Sequence, residues 1–164
     1  MTVNYFHPAS EHQHLAWIGG STVDILLDSA QSNGQLLLTR SNPVHGEAVP
    51  LHRHTHEDET FVILEGEMVV WVGDQRQEVR AGDVAFLPRE IPRTYTVTSE
   101  TAKMLVIVTP GGLEAGFRGA GWDLSKPMPE GWTCTREAVA EAMGKVGTFN
   151  LGPPKSPTDG PLTR

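Results

Sequence analysis

The stretch from Gly46 to Gly66, GEAVPLHRHTHEDETFVILEG, constrains the chain more than any other. His52, His54 and His56 alternate with Arg53 and Thr55, so an extended backbone would set all three imidazoles on one side of a strand. Glu57-Asp58-Glu59 then reads as a short acidic turn, and Phe61 to Leu64 as a second strand that stops at Glu65-Gly66. Such a strand–turn–strand unit brings two imidazoles and the Glu59 carboxylate round one point. Two His and one carboxylate can form a facial set for a divalent transition metal, with positions left open.

The rest of the chain alternates between short apolar runs and turn residues, with no helical period before residue 110. The runs Leu15 to Ile18, Val23 to Leu27, Gln35 to Thr39, Met68 to Val72, Gln77 to Arg80, Val84 to Leu87, Arg93 to Thr98 and Met104 to Thr109 read as strands. Gly73-Asp74 is placed to make a hairpin. With the central pair, this pattern predicts an all-β sandwich or barrel of roughly nine or ten strands. Residues 1–14 are expected to form an arm and 15–110 the barrel. Residues 111–152 read as an extension with one packed helix, and 153–164 as an extended or disordered proline-rich tail. In the extension, the glycine-rich run from Leu113 to Gly131 reads as irregular chain. The helix is expected from an N-cap at Thr135, through Val139, Ala142, Met143 and Val146, to a stop at Gly147. The arm holds a second His-x-His, His12 and His14, with no further ligand at a useful spacing.

The spacing Gly46, five residues, His52, one, His54, four, Glu59, six, Gly66 resembles the first motif of the cupin family at every defining position. The second motif is only partly matched. Gly82 and Pro88 stand in place, whereas Glu90 replaces a glycine, Arg93 a metal-binding histidine and Val97 an asparagine. Thr109-Pro110-Gly111-Gly112-Leu113-Glu114 and Leu151-Gly152-Pro153-Pro154 further resemble bacterial single-domain cupins likened to quercetin 2,3-dioxygenase. The resemblance implies a double-stranded β-helix, or jelly-roll barrel, with a short C-terminal helix. It also implies a homodimer and one divalent metal, whether Fe, Ni, Mn, Co or Zn, held by His52, His54 and Glu59.

Arg93 cannot be a ligand, because its guanidinium stays protonated. Its positive charge opposes a cation, and a salt bridge to Glu59 could take the metal's place. Tyr95 shares the parity of Arg93 and is a candidate proton donor or substrate partner, or else a core aromatic with a satisfied hydroxyl. Phe61 and Ile63 share the parity of Glu59 and are expected to line the cavity, and His56 is a candidate contact from the other strand.

A formal charge of −7 and a pI near 5.4 supply no basic stripe, which disfavours nucleic acid and anionic membranes as partners. No apolar run is long enough for a membrane span. Cys134 is the lone cysteine, so no internal disulfide is possible, and the amino terminus lacks signal-peptide features, which together suggest the cytoplasm. The expected activity is a metal-dependent dioxygenase-like reaction on an aromatic or polyketide-like phenol or enol, with Glu59, Arg93 and Tyr95 at the chemistry. The alternatives are an isomerase, cyclase or decarboxylase using Arg93 and Glu59 with little or no metal, and a cupin that binds a small ligand without catalysis.

Overall fold

The computed structural model describes residues 4–163. Its strands are β1 (Gln13–Ala16), β2 (Thr22–Leu27), β3 (Leu37–Asn42), β4 (Leu51–His54), β5 (Asp58–Glu65), β6 (Glu67–Val72), β7 (Gln75–Arg80), β8 (Val84–Leu87), β9 (Arg93–Val97) and β10 (Lys103–Thr109). Helix α1 (Glu114–Ala120), β11 (Trp122–Asp123), helix α2 (Arg136–Gly144) and β12 (Thr148–Gly152) follow. One sheet runs β11-β1-β2-β3-β10-β5-β8 and the other β12-β4-β9-β6-β7. Paired strands are antiparallel throughout, from β1 with β2 to β6 with β9. The two sheets face each other over a core that includes Leu37, Phe61, Met68, Val70, Val97 and Met104. This is the expected all-β jelly roll. No helix among the described residues is long and apolar enough to cross a membrane.

β4 and β5 are consecutive in the chain but belong to opposite sheets. The bend after His54 therefore swings Glu59 across the barrel to face the histidines. Gly66 ends β5 with φ +82, where a Cβ would come within 2.4 Å of the Thr101 carbonyl oxygen, so the motif's last glycine is a requirement of close packing.

The chain departs from its expected pattern at several places. β3 begins at Leu37 rather than Gln35 because Ser32 caps the preceding turn: its hydroxyl donates to the Leu36 carbonyl at 2.5 Å and accepts from the Leu36 N–H at 3.1 Å. The glycine-rich segment after Leu113 forms α1. A Cβ on Gly116 would lie 2.6 Å from the Met143 sulfur of α2, and one on Gly119 would lie 3.1 Å from the Ala142 Cβ. These glycines let two helices approach closely, and the gain in packing outweighs their helix-propensity cost of about 1 kcal/mol each. α2 is capped as expected, with Thr135 Oγ1 accepting from the Ala138 N–H at 3.1 Å, and it ends at Gly144, three residues before Gly147.

Helices α1 and α2 cover a second cluster formed by Trp17, Val23, Ala120, Cys134 and Ala142. Residues 153–163 have no helix or strand, yet they are strapped across the five-stranded sheet. Trp71 Nε1 donates to the Gly160 carbonyl at 2.9 Å, Arg76 donates to the carbonyls of Pro157 and Asp159, and Thr96 donates to the Lys155 carbonyl at 2.6 Å.

Candidate metal centre and cavity

His52 and His54 project from β4, Glu59 from β5 and Arg93 from β9, where Arg93 lies directly opposite His52. One ligand atom from each of His52, His54 and Glu59 falls within 4.8 Å of the other two. The His52 and His54 rings stand edge to face with centroids 5.0 Å apart.

The surroundings set the protonation of each group. Nδ1–H of His52 donates to the Pro50 carbonyl at 2.7 Å, which leaves Nε2 with a free lone pair. Burial pushes the His52 pKa from 6.5 down to about 4, with Glu59 acting in the opposite sense, so the ring is neutral at physiological pH. For Glu59, burial acts to raise the pKa, but the hydrogen bond and charge of His54 and the charges of Arg93 and His52 prevail and hold it at about 2. His54 Nε2 lies 3.3 Å from Glu59 Oε2. On its other side Nδ1 meets the Thr148 hydroxyl at 3.1 Å and lies 3.8 Å from Glu57 Oε2. A shift of the ring proton to Nδ1 would free Nε2 for a metal and leave Thr148 and Glu57 to orient the ring, as outer partners of ligating histidines do. With the ring proton so placed, the two Nε2 lone pairs and the ionised Glu59 carboxylate would match the requirements of a divalent transition metal.

Arg93 is turned away from a direct hydrogen bond to Glu59. Its Nη2 donates to the carbonyls of Leu87 and Pro88, both at 2.6 Å, and its Nε stands 3.9 Å from Glu59 Oε2. The side chain is 1% exposed, and Nε and Nη1 have no hydrogen-bond partner. Two buried guanidinium donors thus remain unpaired beside the His–His–Glu set, a costly arrangement unless a ligand completes it.

A cavity of about 150 Å³ adjoins these groups. Phe61, Tyr95, Met104 and Val106 line it from the barrel, and Trp17, Phe117, Val139 and Met143 close it from the loop and helices above. Of the expected site residues, His52, His54, Glu59, Phe61, Arg93 and Tyr95 line this cavity. His56 is exposed and outside the lining. The regular strand ends at His54, and the Thr55 N–H donates to Gly147 at 3.1 Å, which breaks the alternation. Ile63 points inward, 1% exposed, but sits in the core beyond the end of the cavity. The other histidine pair is not a ligand set: His12 Nε2 meets the His7 carbonyl, and His14 Nδ1 lies 2.7 Å from Asp24 Oδ1.

Three polar residues at the site were not anticipated. Thr148 and Glu57 back His54, and Glu47 lines the cavity with Tyr95 donating to its Oε1 at 3.0 Å. The acidic cluster at 57–59 gave a signal for Glu57. Glu47 lies in a loop without periodicity, and Thr148 is nearly a hundred residues from its partner.

A double-sheet β-barrel whose facing strands bring a His–His–Glu set to the wall of a cavity defines a jelly-roll protein with a candidate metal centre. Residues 41–108 match the model of the cupin domain family. The chain is 33% identical over 95 residues to quercetin 2,3-dioxygenase of Bacillus subtilis, a match covering 57% of this chain and 28% of the relative. It is 32% identical over 59 residues to a protein of Aquifex aeolicus, covering 36% of this chain and 49% of the other. The chain thus spans less than half the length of either relative. Among solved structures, KdgF from Halomonas sp. superposes with TM-score 0.59 at 15% identity, covering 66% of this chain and 97% of that one. An RmlC-like cupin from Shewanella frigidimarina gives 0.58 at 18% identity, covering 68% and 95%. The nucleoside dehydratase Pac13 gives 0.56 at 15%, covering 68% and 86%. At these identities the likeness is one of fold.

Proposed function

We propose that the protein is a metal-dependent, dioxygenase-like enzyme acting on a single-ring phenol or enol that binds as its anion. The observation that carries this reading is the convergence of His52, His54 and Glu59 within 4.8 Å beside the unpaired donors of Arg93. A divalent metal held by His52, His54 and Glu59 would supply a Lewis-acidic centre where an anionic substrate oxygen and O2 can meet. Arg93 offers its unpaired Nε–H, on the side facing Glu59, to the bound anion and adds the positive charge that favours the ionised substrate over the neutral one. Glu59, with a pKa near 2, serves as a ligand rather than as a base. Tyr95 remains protonated, because burial and the neighbouring Glu47 push its pKa well above 10. The apolar walls exclude water from the ring.

Cavity size narrows the substrate. A space of about 150 Å³ is close to what holds one benzene ring, roughly 150 Å³, so among the aromatic and polyketide-like candidates a compound of one ring fits it whole.

A second reading is supported by Arg93 itself, whose unpaired donors could hold an enolate for isomerisation, cyclisation or decarboxylation without redox chemistry. Oxygen-electrode measurements separate the two. Protein reconstituted with Fe, Ni, Mn, Co or Zn is expected to consume O2 with one-ring dihydroxy or keto-enol compounds, and chelated protein is not. Turnover without O2 uptake would refute the oxygenase reading in favour of the second.

The homodimer implied by the resemblance has a surface that suits it. The outer face of the seven-stranded sheet aligns Val62 with Val84 and with Leu105, and Thr60 with Phe86 and with Ile107. Val84 and Phe86 are 62% and 58% exposed. An apolar sheet face of this kind marks an interaction site.

A further inference from the structure

We propose that Glu47, held by Tyr95, forms a second and uncharged polar pole of the cavity, which donates a hydrogen bond to a neutral oxygen of the substrate and rejects a second negative charge at that end. The proposal rests on the reading of the cavity as a small-molecule site and is independent of whether a metal is bound there.

The backbone fixes where this pole lies. Glu47 precedes β4 and is bonded to β9: its carbonyl accepts from the Val97 N–H at 2.9 Å, and the Val49 N–H donates to the Tyr95 carbonyl at 3.2 Å. Arg93 lies four residues before Val97 on the same strand, opposite His52. At about 3.3 Å per residue, the Tyr95 and Val97 levels lie roughly 7 and 13 Å from the Arg93 level. A single ring with substituents at opposite ends spans that interval. The body between the poles is apolar, walled by Phe61, Met104 and Val106.

The side chains fix what the pole can bind. Tyr95 Oη donates to Glu47 Oε1 at 3.0 Å, and the Tyr95 ring is steadied by Phe61 edge to face, with centroids 5.8 Å apart. Glu47 Oε2 is buried without a hydrogen-bond partner. Among the described residues no Lys, Arg or His forms an ion pair with Glu47, whereas Glu59, Asp24, Asp28 and Asp58 each face an arginine. Burial raises the Glu47 pKa, and the polar groups beside it, the Tyr95 hydroxyl and that of Ser21, whose proton goes to the Ile18 carbonyl, only partly offset this. A carboxyl without a cation in an apolar cavity is most cheaply kept neutral. Its Oε2 is then a donor, and Tyr95 has already filled Oε1. The complementary group is an acceptor oxygen that carries no charge, such as a ketone, aldehyde or ether. A substrate anion placed here, at the end of the cavity away from Arg93, would lose its hydration with only the Glu47 hydroxyl to replace it, since Arg136, the other arginine on the lining, forms no ion pair with Glu47. The two poles together select a monoanion with its charge at the His–His–Glu end and an uncharged oxygen across the ring.

Titration calorimetry with three one-ring probes tests this on the full chain, with and without added metal. Benzoate supplies one anion, 4-formylbenzoate adds an uncharged acceptor across the ring, and terephthalate adds a second anion. The expected order is 4-formylbenzoate at least tenfold tighter than benzoate and than terephthalate. Glu47→Leu is expected to bring 4-formylbenzoate down to the affinity of benzoate, whereas Glu47→Gln, which keeps a donor, retains the preference. Tyr95→Phe should weaken 4-formylbenzoate severalfold and leave benzoate unchanged. The proposal is overturned if terephthalate binds tightest, if none of the probes binds, or if Glu47→Leu discriminates like the parent. Should Glu47→Leu fail to fold, as judged by near-ultraviolet circular dichroism, the Gln and Phe variants decide it by the same comparison. Failure of the oxygenase reading shows separately, as absence of O2 uptake with this binding order intact.

Discussion

His52 gives the metal-free protein a built-in sensitivity to acid whose size follows from its surroundings. The unfolded ring takes up a proton near pH 6.5, while the folded ring resists until about pH 4. Between these values the unfolded chain binds more protons than the folded one, so stability falls as the pH is lowered, and the loss is complete once the folded ring is also protonated. An interval of this width corresponds to about 3 kcal/mol. His52 is half-buried rather than sealed, and solvent screening leaves about 2 kcal/mol of this.

His52→Asn removes the titration while keeping an N–H near the Pro50 carbonyl. Urea unfolding of chelated protein at about pH 7 and about pH 4.5 should show the parent losing about 2 kcal/mol more than the variant over that interval. The comparison with the variant is needed because other groups titrate as well. Burial raises Glu47 and Glu57, so their contribution is present at low pH and is lost as the pH rises through their folded values, opposite in slope to His52 and common to both proteins. Glu59, lowered from 4.5 to about 2, gives up its contribution only below that window. Parallel stability curves for parent and variant would refute the assignment of a desolvated, neutral His52 and weaken its claim to be a ligand.

Arg93→Met removes a buried charge beside the donor set, and metal affinity should rise on the order of tenfold or more, read by competition with a chelating dye. Stability should drop by about 1–3 kcal/mol as the Leu87 and Pro88 carbonyls lose their donor, and unchanged metal affinity would place Arg93 outside the electrostatic reach of the ion. For the sheet face, light scattering should report a dimer for the parent and a monomer for Phe86→Lys, and a monomeric parent would remove the proposed interface.

The fold was legible because its strongest signals are local. The spacing of His52, His54, Glu59 and Gly66 sits within one strand–turn–strand unit, and period-two alternation needs only a few residues to show a face. The same logic misplaced what depends on long-range contacts. His56 has the right parity, but the strand it was counted on stops two residues earlier, at a bond to Gly147. Ile63 has the right parity and faces inward, yet parity carries no information about where a cavity ends. Gly116 and Gly119 read as helix breakers, because the close approach of Met143 and Ala142 that turns them into packing sites lies over twenty residues away. Glu47 gave no signal at all: its importance comes from a tyrosine on another strand and from its having no ion pair among the described residues.

One consequence follows from where the cavity's parts reside along the chain. The donor atoms and Arg93 fall within residues 41–108, whereas Trp17, Phe117, Val139 and Met143 fall outside. The candidate donor atoms and the cap of the cavity are therefore carried on different stretches of sequence. The two-helix cap can be exchanged for that of a related protein, or randomised, to retune which rings are admitted while the donor atoms stay in place. Thr148, which reaches back from β12 to His54, is the stitch such a graft would have to preserve.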